Sequence, residues 1–238
     1  MFHKSLIDRL VLPFTWFSLG VVLAAMPAVR DGENRQQLQD LVAKVEKAAK
    51  DQRSNLCSYS VIQDYTLQNK HLATGAQMKV RVTYERNKGK RYQILSLKAE
   101  GIARRSLQQL VKAEAQTSAS KQSNAVNSSN YRFRMLGEES CGKQSCYKLA
   151  LIPRYKRKDL VDGTAWVSKQ DYHLVRIAGH LAKSPSFWIS RPEVEQRFEM
   201  VDGFSMPSYN RSSTHILFLG EADLAVAYSG YQVQRCKN

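Results

Sequence analysis

The chain lacks the spaced ligands and loops on which most catalytic chemistry is built. Its histidines, His3, His71, His173, His180 and His215, form no His-x-x-x-His or His-Glu-x-x-His pair, so a helix-borne metal site is excluded. No Gly-x-Ser-x-Gly elbow is present to raise a nucleophilic serine, and no glycine-rich phosphate loop occurs. Gly137, Gly142 and Gly163 stand alone, and each reads as a turn. A Ser-His-Asp set from Asp171, His173 and Ser184 or Ser186 is arithmetically possible, but polar residues at a hairpin are ordinary. The chain is therefore read as non-enzymatic, with no cofactor and no metal.

Acidic residues are also scarce, 21 against 36 basic ones, for a net charge of +15. Such a balance points to an anionic partner or simply to solubility. Which of these applies depends on where the protein works. Met1–Arg9 carries Lys4 and Arg9, Leu10–Ala25 is almost wholly apolar, and small residues come next. These are the three parts of a secretory signal over residues 1–28, with cleavage after Ala25 or Ala28 fitting equally well. The alternative is an uncleaved anchor, although the apolar run is short for a bilayer span of about 20 residues. No cysteine follows the run, so no N-terminal lipid anchor is indicated. Export to the periplasm turns the charge away from nucleic acid and toward an anionic membrane surface or envelope polymer.

Four cysteines in an exported chain predict two disulfides. Three pairings exist on paper. Cys141 and Cys146 flank a short turn between strand-like runs and would clamp it, which leaves Cys57 with Cys236. A zinc site is the rival reading, but no Cys-x-x-Cys knuckle supports it.

Residues 29–238 are long enough for one good-sized core. Leu38, Leu41, Val42, Val45 and Ala48 or Ala49 recur at helical spacing over 34–49, and Ile102, Leu107, Leu110 and Val111 mark a second helix over 102–115. Gln116–Asn130 is a polar run with too little apolar content to order itself, and it reads as a mobile loop, with the helix before it a candidate lid. The remainder alternates apolar and polar residues in about ten segments, including Tyr59–Leu67, Met78–Tyr84, Tyr131–Met135, Tyr147–Leu151, Glu193–Met200 and a last pair over 213–219 and 224–231. Asp162–Pro207 reads as the middle of the sheet. An antiparallel sheet of that size curls or closes. The fold class is α+β: a strongly curved antiparallel sheet forming an incomplete β-barrel, with helices covering the concave face.

Asp162-Gly163-Thr-Ala-Trp166-Val167, Asp171-Tyr172, Leu174-Val-Arg-Ile177, Gly179, Pro185-Ser-Phe-Trp188, Gly203-Phe204 and Met206-Pro207 resemble the outer-membrane lipoprotein-sorting proteins, the LolA/LolB-like superfamily. The resemblance runs over nearly the whole chain after the leader. It implies a periplasmic half-barrel around an apolar cavity for the acyl chains of a lipid or lipoprotein. The alternative is a regulatory module that binds another envelope protein. Tyr59, Val61, Tyr65, Val80, Val82 and Tyr84 are the expected ligand-facing residues, because they supply two adjacent apolar faces that can bury methylenes at about 0.8 kcal/mol each. The alternative, and for any one of these side chains the plainer reading, is a filled core. Phe187 and Trp188, after a Pro-Ser turn, suit a cavity rim or a plug. The cluster Arg154, Lys156, Arg157 and Lys158 reads as a membrane-facing patch or a solvated loop.

Overall fold

A computed structural model describes residues 28–69, 75–119, 124–186, 189–217 and 220–236. The expected leader thus lies outside the described residues except for Ala28, and Phe187 and Trp188 lie outside them as well. No helix among the described residues is long and apolar enough to cross a membrane.

Helix α1 (Ala28–Asn55) is longer than the apolar spacing over 34–49 suggests. Its last turns are polar, yet tertiary partners hold them. The Arg86 guanidinium donates to the carbonyls of Arg53, Ser54 and Leu56, satisfying acceptors that a helix end leaves open. The Cys236 amide donates to the Asn55 carbonyl at 2.8 Å. These partners come from residues far along the chain, so the helix window alone underestimates it.

Strands β1 (Leu56–Asn69), β2 (Ala76–Glu85) and β3 (Gly89–Lys98) are next, and helix α2 (Gly101–Ala119) comes after them. Seven further strands follow among the described residues: β4 (Tyr131–Cys141), β5 (Gln144–Pro153), β6 (Val161–Ser168), β7 (Leu174–Leu181), β8 (Glu193–Val201), β9 (Phe204–Ile216) and β10 (Gly220–Arg235). All ten lie in one sheet in the order β3-β2-β1-β10-β9-β8-β7-β6-β5-β4, and every neighbouring pair is antiparallel. The sheet is curved and open, with β3 and β4 as its edges and the two helices on its concave side. Five strands lie on each side of the β9–β8 pairing, so Asp162–Pro207, expected at the middle of the sheet, supplies it as β6, β7, β8 and the start of β9.

This topology accounts for the position of α2 and of the segment between α2 and β4. The chain leaves the sheet at the β3 edge and re-enters at the opposite edge, so the connection must cross the concave face. Residues 116–119, expected as loop, continue the helix. Farther on, Val126 packs beside Tyr131 and Leu151, Asn130 is buried, and the Ser128 amide donates to Glu46 of α1 at 2.6 Å. The described part of the expected mobile loop is therefore held; residues 120–123 lie outside the description.

Three apolar groups fill the concave side. Ala103, Leu107 and Val111 of α2 bury against Val61, Tyr65, Met78, Val80 and Val82. Leu41 and Val45 of α1 pack on Leu149 and Val167, and a third group joins Tyr131, Leu151, Leu160 and Ile177. Full burial of one such leucine stabilises by roughly 2 kcal/mol.

Strand β9 starts at Phe204, nine residues before the expected segment at Ser213. Asp202 (φ 51°) and Gly203 (φ 81°) form the two-residue hairpin turn, whose paired positive angles match the strand twist. Pro207 then sits at a register shift between β8 and β9, where its missing N–H interrupts no ladder bond. Gly163 also differs from its expected turn role, since it lies inside β6 facing Gly179 of β7.

The Gln52 side chain pins α1 to the sheet. Its Nε2 donates to the Ser205 carbonyl at 2.9 Å, and its Oε1 accepts from the Ser205 amide at 2.8 Å, as a neighbouring strand would. Gln52→Ala is expected to lower stability by about 1–2 kcal/mol, because two part-buried backbone groups lose their partner. Urea unfolding would report the loss, and hydrogen exchange would localise it to residues 45–55 and 204–206.

Candidate functional site

The concave face is not filled evenly. Two clefts open on either side of the last turns of α1. The first, of about 380 Å³, lies between α1, residues 125–129 and the starts of β7 and β9. Val45, Ala49, Val126, Leu174 and Phe198 form its apolar wall, while Lys50, Gln52 and Arg53 stand at its helix side. The second, of about 390 Å³, is more polar, with Lys44, Lys47, Asp171, Phe204 and Arg235 among its lining. Gln52, Tyr172 and His173 line both.

Tyr172 is the wall between the clefts. It takes φ 60°, a conformation that a bulky residue adopts only when its surroundings enforce it. Here the β6–β7 hairpin fixes it: the Tyr172 amide donates to the Ser168 carbonyl at 3.1 Å. The Lys44 ammonium lies 5.1 Å above its ring centre and 3.4 Å from its hydroxyl oxygen. Asp171 Oδ1 accepts from the His173 backbone amide at 3.2 Å, so this carboxylate closes a turn and does not orient the imidazole.

The residues expected to face a ligand lie elsewhere. Val80, Val82, Val61 and Tyr65 are 0%, 1%, 2% and 4% exposed, packed under α2. Tyr59 and Tyr84 stack with ring centres 5.2 Å apart at the margin of the same group. None of the six lines either cleft. The Tyr65 hydroxyl is within 2.9 Å of the Glu114 carboxylate of α2 and 2.8 Å of Gln63 Oε1. Burial pushes the Tyr59, Tyr65, Tyr228 and Tyr231 hydroxyls well above the usual tyrosine range, so they remain neutral, and Tyr228 accepts from the Asn210 side-chain amide at 2.7 Å. Tyr65 ties α2 to the sheet, while Tyr231 donates to the Pro207 carbonyl at 2.7 Å within the sheet.

The basic cluster after Pro153 is also mostly engaged. Arg154 donates to the Ser128 carbonyl at 2.8 Å, Arg157 pairs with Asp159, and Lys158 donates to the Pro185 carbonyl. Cys57 pairs with Cys236 and Cys141 with Cys146, their Cα atoms 4.9 and 5.9 Å apart. The four sulfurs form two separate pairs and do not converge on one point, as a zinc site would require.

The cleft residues on α1 escape a search for apolar faces, because most are charged. One signal is present. Lys44, Lys47, Lys50 and Arg53 recur every third residue, and a three-residue repeat winds about 60° back per step around a helix with 3.6 residues per turn. The stripe accordingly passes from the second cleft, which has Lys44 and Lys47, to the first, which has Lys50 and Arg53.

The architecture is that of an open antiparallel half-barrel with helices across its concave side. No family model matches the sequence, and no curated protein matches it. Among solved structures, the chain is similar to a LolA superfamily protein from Nitrosomonas europaea, with 13% identity and a TM-score of 0.43 over 84% of this chain and 94% of that one. A putative outer membrane lipoprotein-sorting protein domain from Vibrio parahaemolyticus gives 12% identity and 0.45 over 80% and 91%. The Pseudomonas aeruginosa MucA/MucB complex is also similar, at 11% identity and 0.30 over 82% and 94%. Each of these is a likeness in the course of the chain.

Proposed function

We propose that the chain is a non-enzymatic protein of the periplasm that binds or carries an amphiphile, a lipid or the acyl part of a lipoprotein, in the first cleft. The observation that carries this reading is the cleft itself. It stays open beside the packed groups, with a wall of Val45, Ala49, Val126, Leu174 and Phe198, and its volume of about 380 Å³ falls at the small end of the range for small-molecule sites, roughly 300–1,000 Å³. A single chain suits that volume better than a multiply acylated anchor. The paired cysteines support an oxidising compartment.

Ala49→Trp fills the cleft from α1 without altering the charge. Uptake of a fluorescent fatty acid is expected to fall at least about tenfold, with the unfolding free energy changed by less than about 1 kcal/mol. Native mass spectrometry of detergent-free protein should show bound acyl species in the parent chain and not in the variant. Absence of both uptake and bound lipid in the parent chain removes the proposal.

One observation favours a second reading, a regulatory or scaffolding module for another envelope protein. Among the described residues, edge strand β3 has no strand neighbour on its outer side, and it holds Ile94 and Leu95 at 41% and 39% exposure. An edge of this kind accepts an added strand. Leu95→Asp abolishing retention of one stoichiometric partner, with Ala49→Trp retaining it, would select this reading.

A further inference from the structure

We infer that the ligand of the first cleft carries an anionic group, phosphate or carboxylate, next to its apolar chain, and that Lys50 and Arg53 of α1 hold it. This rests on the proposed amphiphile site and names the chemistry of its polar end.

The charges around α1 do not cancel. Lys44, Lys50, Arg53 and Arg235 line the two clefts, and none has a carboxylate partner among the described residues. The carboxylates beside them face other partners, and in the first cleft the single negative charge of Glu46 stands against the two positive charges of Lys50 and Arg53. Asp51 pairs with Lys47 at 2.6 Å, Glu46 accepts from the Ser128 amide at 2.6 Å, and Asp171 accepts from the His173 amide at 3.2 Å. Lys44 and Arg235 have aromatic partners instead, since Lys44 lies over Tyr172 and Arg235 over Phe204 at 4.9 Å. Lys50 and Arg53 belong to the same cleft as the apolar wall of Val45, Ala49 and Val126. A ligand with its chain on that wall brings its polar end to these two cations. The low-dielectric wall on one side strengthens their field relative to that of a fully solvated pair. A neutral head would leave this field unanswered.

The test uses the full chain after leader removal and three probes below their micelle concentrations: dodecyl phosphate, dodecyl maltoside and inorganic phosphate. Titration calorimetry is expected to show dodecyl phosphate binding about tenfold or more tighter than dodecyl maltoside, with inorganic phosphate much weaker than either. Lys50→Gln with Arg53→Gln should remove most of that preference and leave dodecyl maltoside unchanged. Lys90→Gln with Lys98→Gln, on the far β3 edge, lowers the net charge equally and should preserve the preference. Equal binding of the two detergents overturns the inference while leaving the amphiphile site standing. Equal loss in both double variants overturns it too, since net charge would then be the cause. Inorganic phosphate binding as tightly as dodecyl phosphate also overturns it, by marking a free-anion site. Binding of neither detergent removes the amphiphile site itself.

Discussion

Replacing Cys57 and Cys236 together by serine is expected to lower the unfolding free energy by several kcal/mol, far more than the same change at Cys141 and Cys146. The two bridges close loops of very different size, with sequence separations of 179 and 5. In the chain-entropy account this corresponds to about 5 kcal/mol for the long loop and about 2 kcal/mol for the short one. The long bridge also acts where the sheet is made whole. It joins the residue after the start of β1 to the residue after the end of β10, and the Cys236 amide bonds to Asn55 at the end of α1. Losing it frees three element ends at once. Thermal unfolding of the two double-serine variants without reductant should separate them clearly. Similar midpoints for both would overturn the ranking, and non-reducing peptide mapping checks the pairings directly.

Gly163→Ala is expected to have the second largest effect, roughly 3 kcal/mol of lost stability. A Cβ at Gly163 would lie 2.2 Å from the Ala178 carbonyl oxygen and 2.6 Å from the Gly179 Cα. The Gly179 position is reciprocal, with a Cβ 2.3 Å from the Asp162 carbonyl oxygen and 2.6 Å from the Gly163 Cα. All of these are backbone atoms, so no side chain can move aside. The two strands approach so closely that only a facing glycine pair permits it, and either methyl group forces β6 and β7 apart. Circular dichroism melts of Gly163→Ala should show a midpoint lowered by roughly 6–12 °C. By comparison, Gly142→Ala meets no atom within 4 Å and carries only the strain of φ 67°. If the two variants melt alike, the close approach is not what selects glycine at Gly163.

These residues also show what a sequence can and cannot disclose. Alternation over Met78–Tyr84 and Glu193–Met200 reveals strands, because period-two burial is written locally in the residues that make it. Helix α2 is legible for the same reason through Leu107 and Val111. Gly163 passes for a turn because its reason for being glycine lies sixteen positions away, in the backbone of Gly179. The end of α1 is hidden because Arg86, Ser205 and Cys236 complete it from remote strands. The site is the least legible part. Val61, Val80 and Val82 have the composition of a lipid-facing wall, and composition alone does not reveal that α2 lies over them. The first cleft is assembled from β7, β8 and β9, which are neighbours in the sheet, together with α1 and residues 125–129, which are remote from them in sequence. In the sequence it is marked by Val45 and Ala49 of the apolar helical spacing and by Lys50 and Arg53 at the end of the three-residue repeat.

The pairing of β1 with β10 has a consequence for biogenesis. A chain threaded across a membrane from its N-terminus, as the proposed export requires, delivers β1 first and β10 last, so this seam cannot close until translocation is nearly finished. Until then β1 and β9 each present a bare edge, the kind of surface that recruits foreign strands. The high sequence separation of that seam also makes its closure slow. A periplasmic holding factor, or rapid oxidation of Cys57 with Cys236 once both have emerged, would shorten the interval in which the half-built sheet is exposed to aggregation.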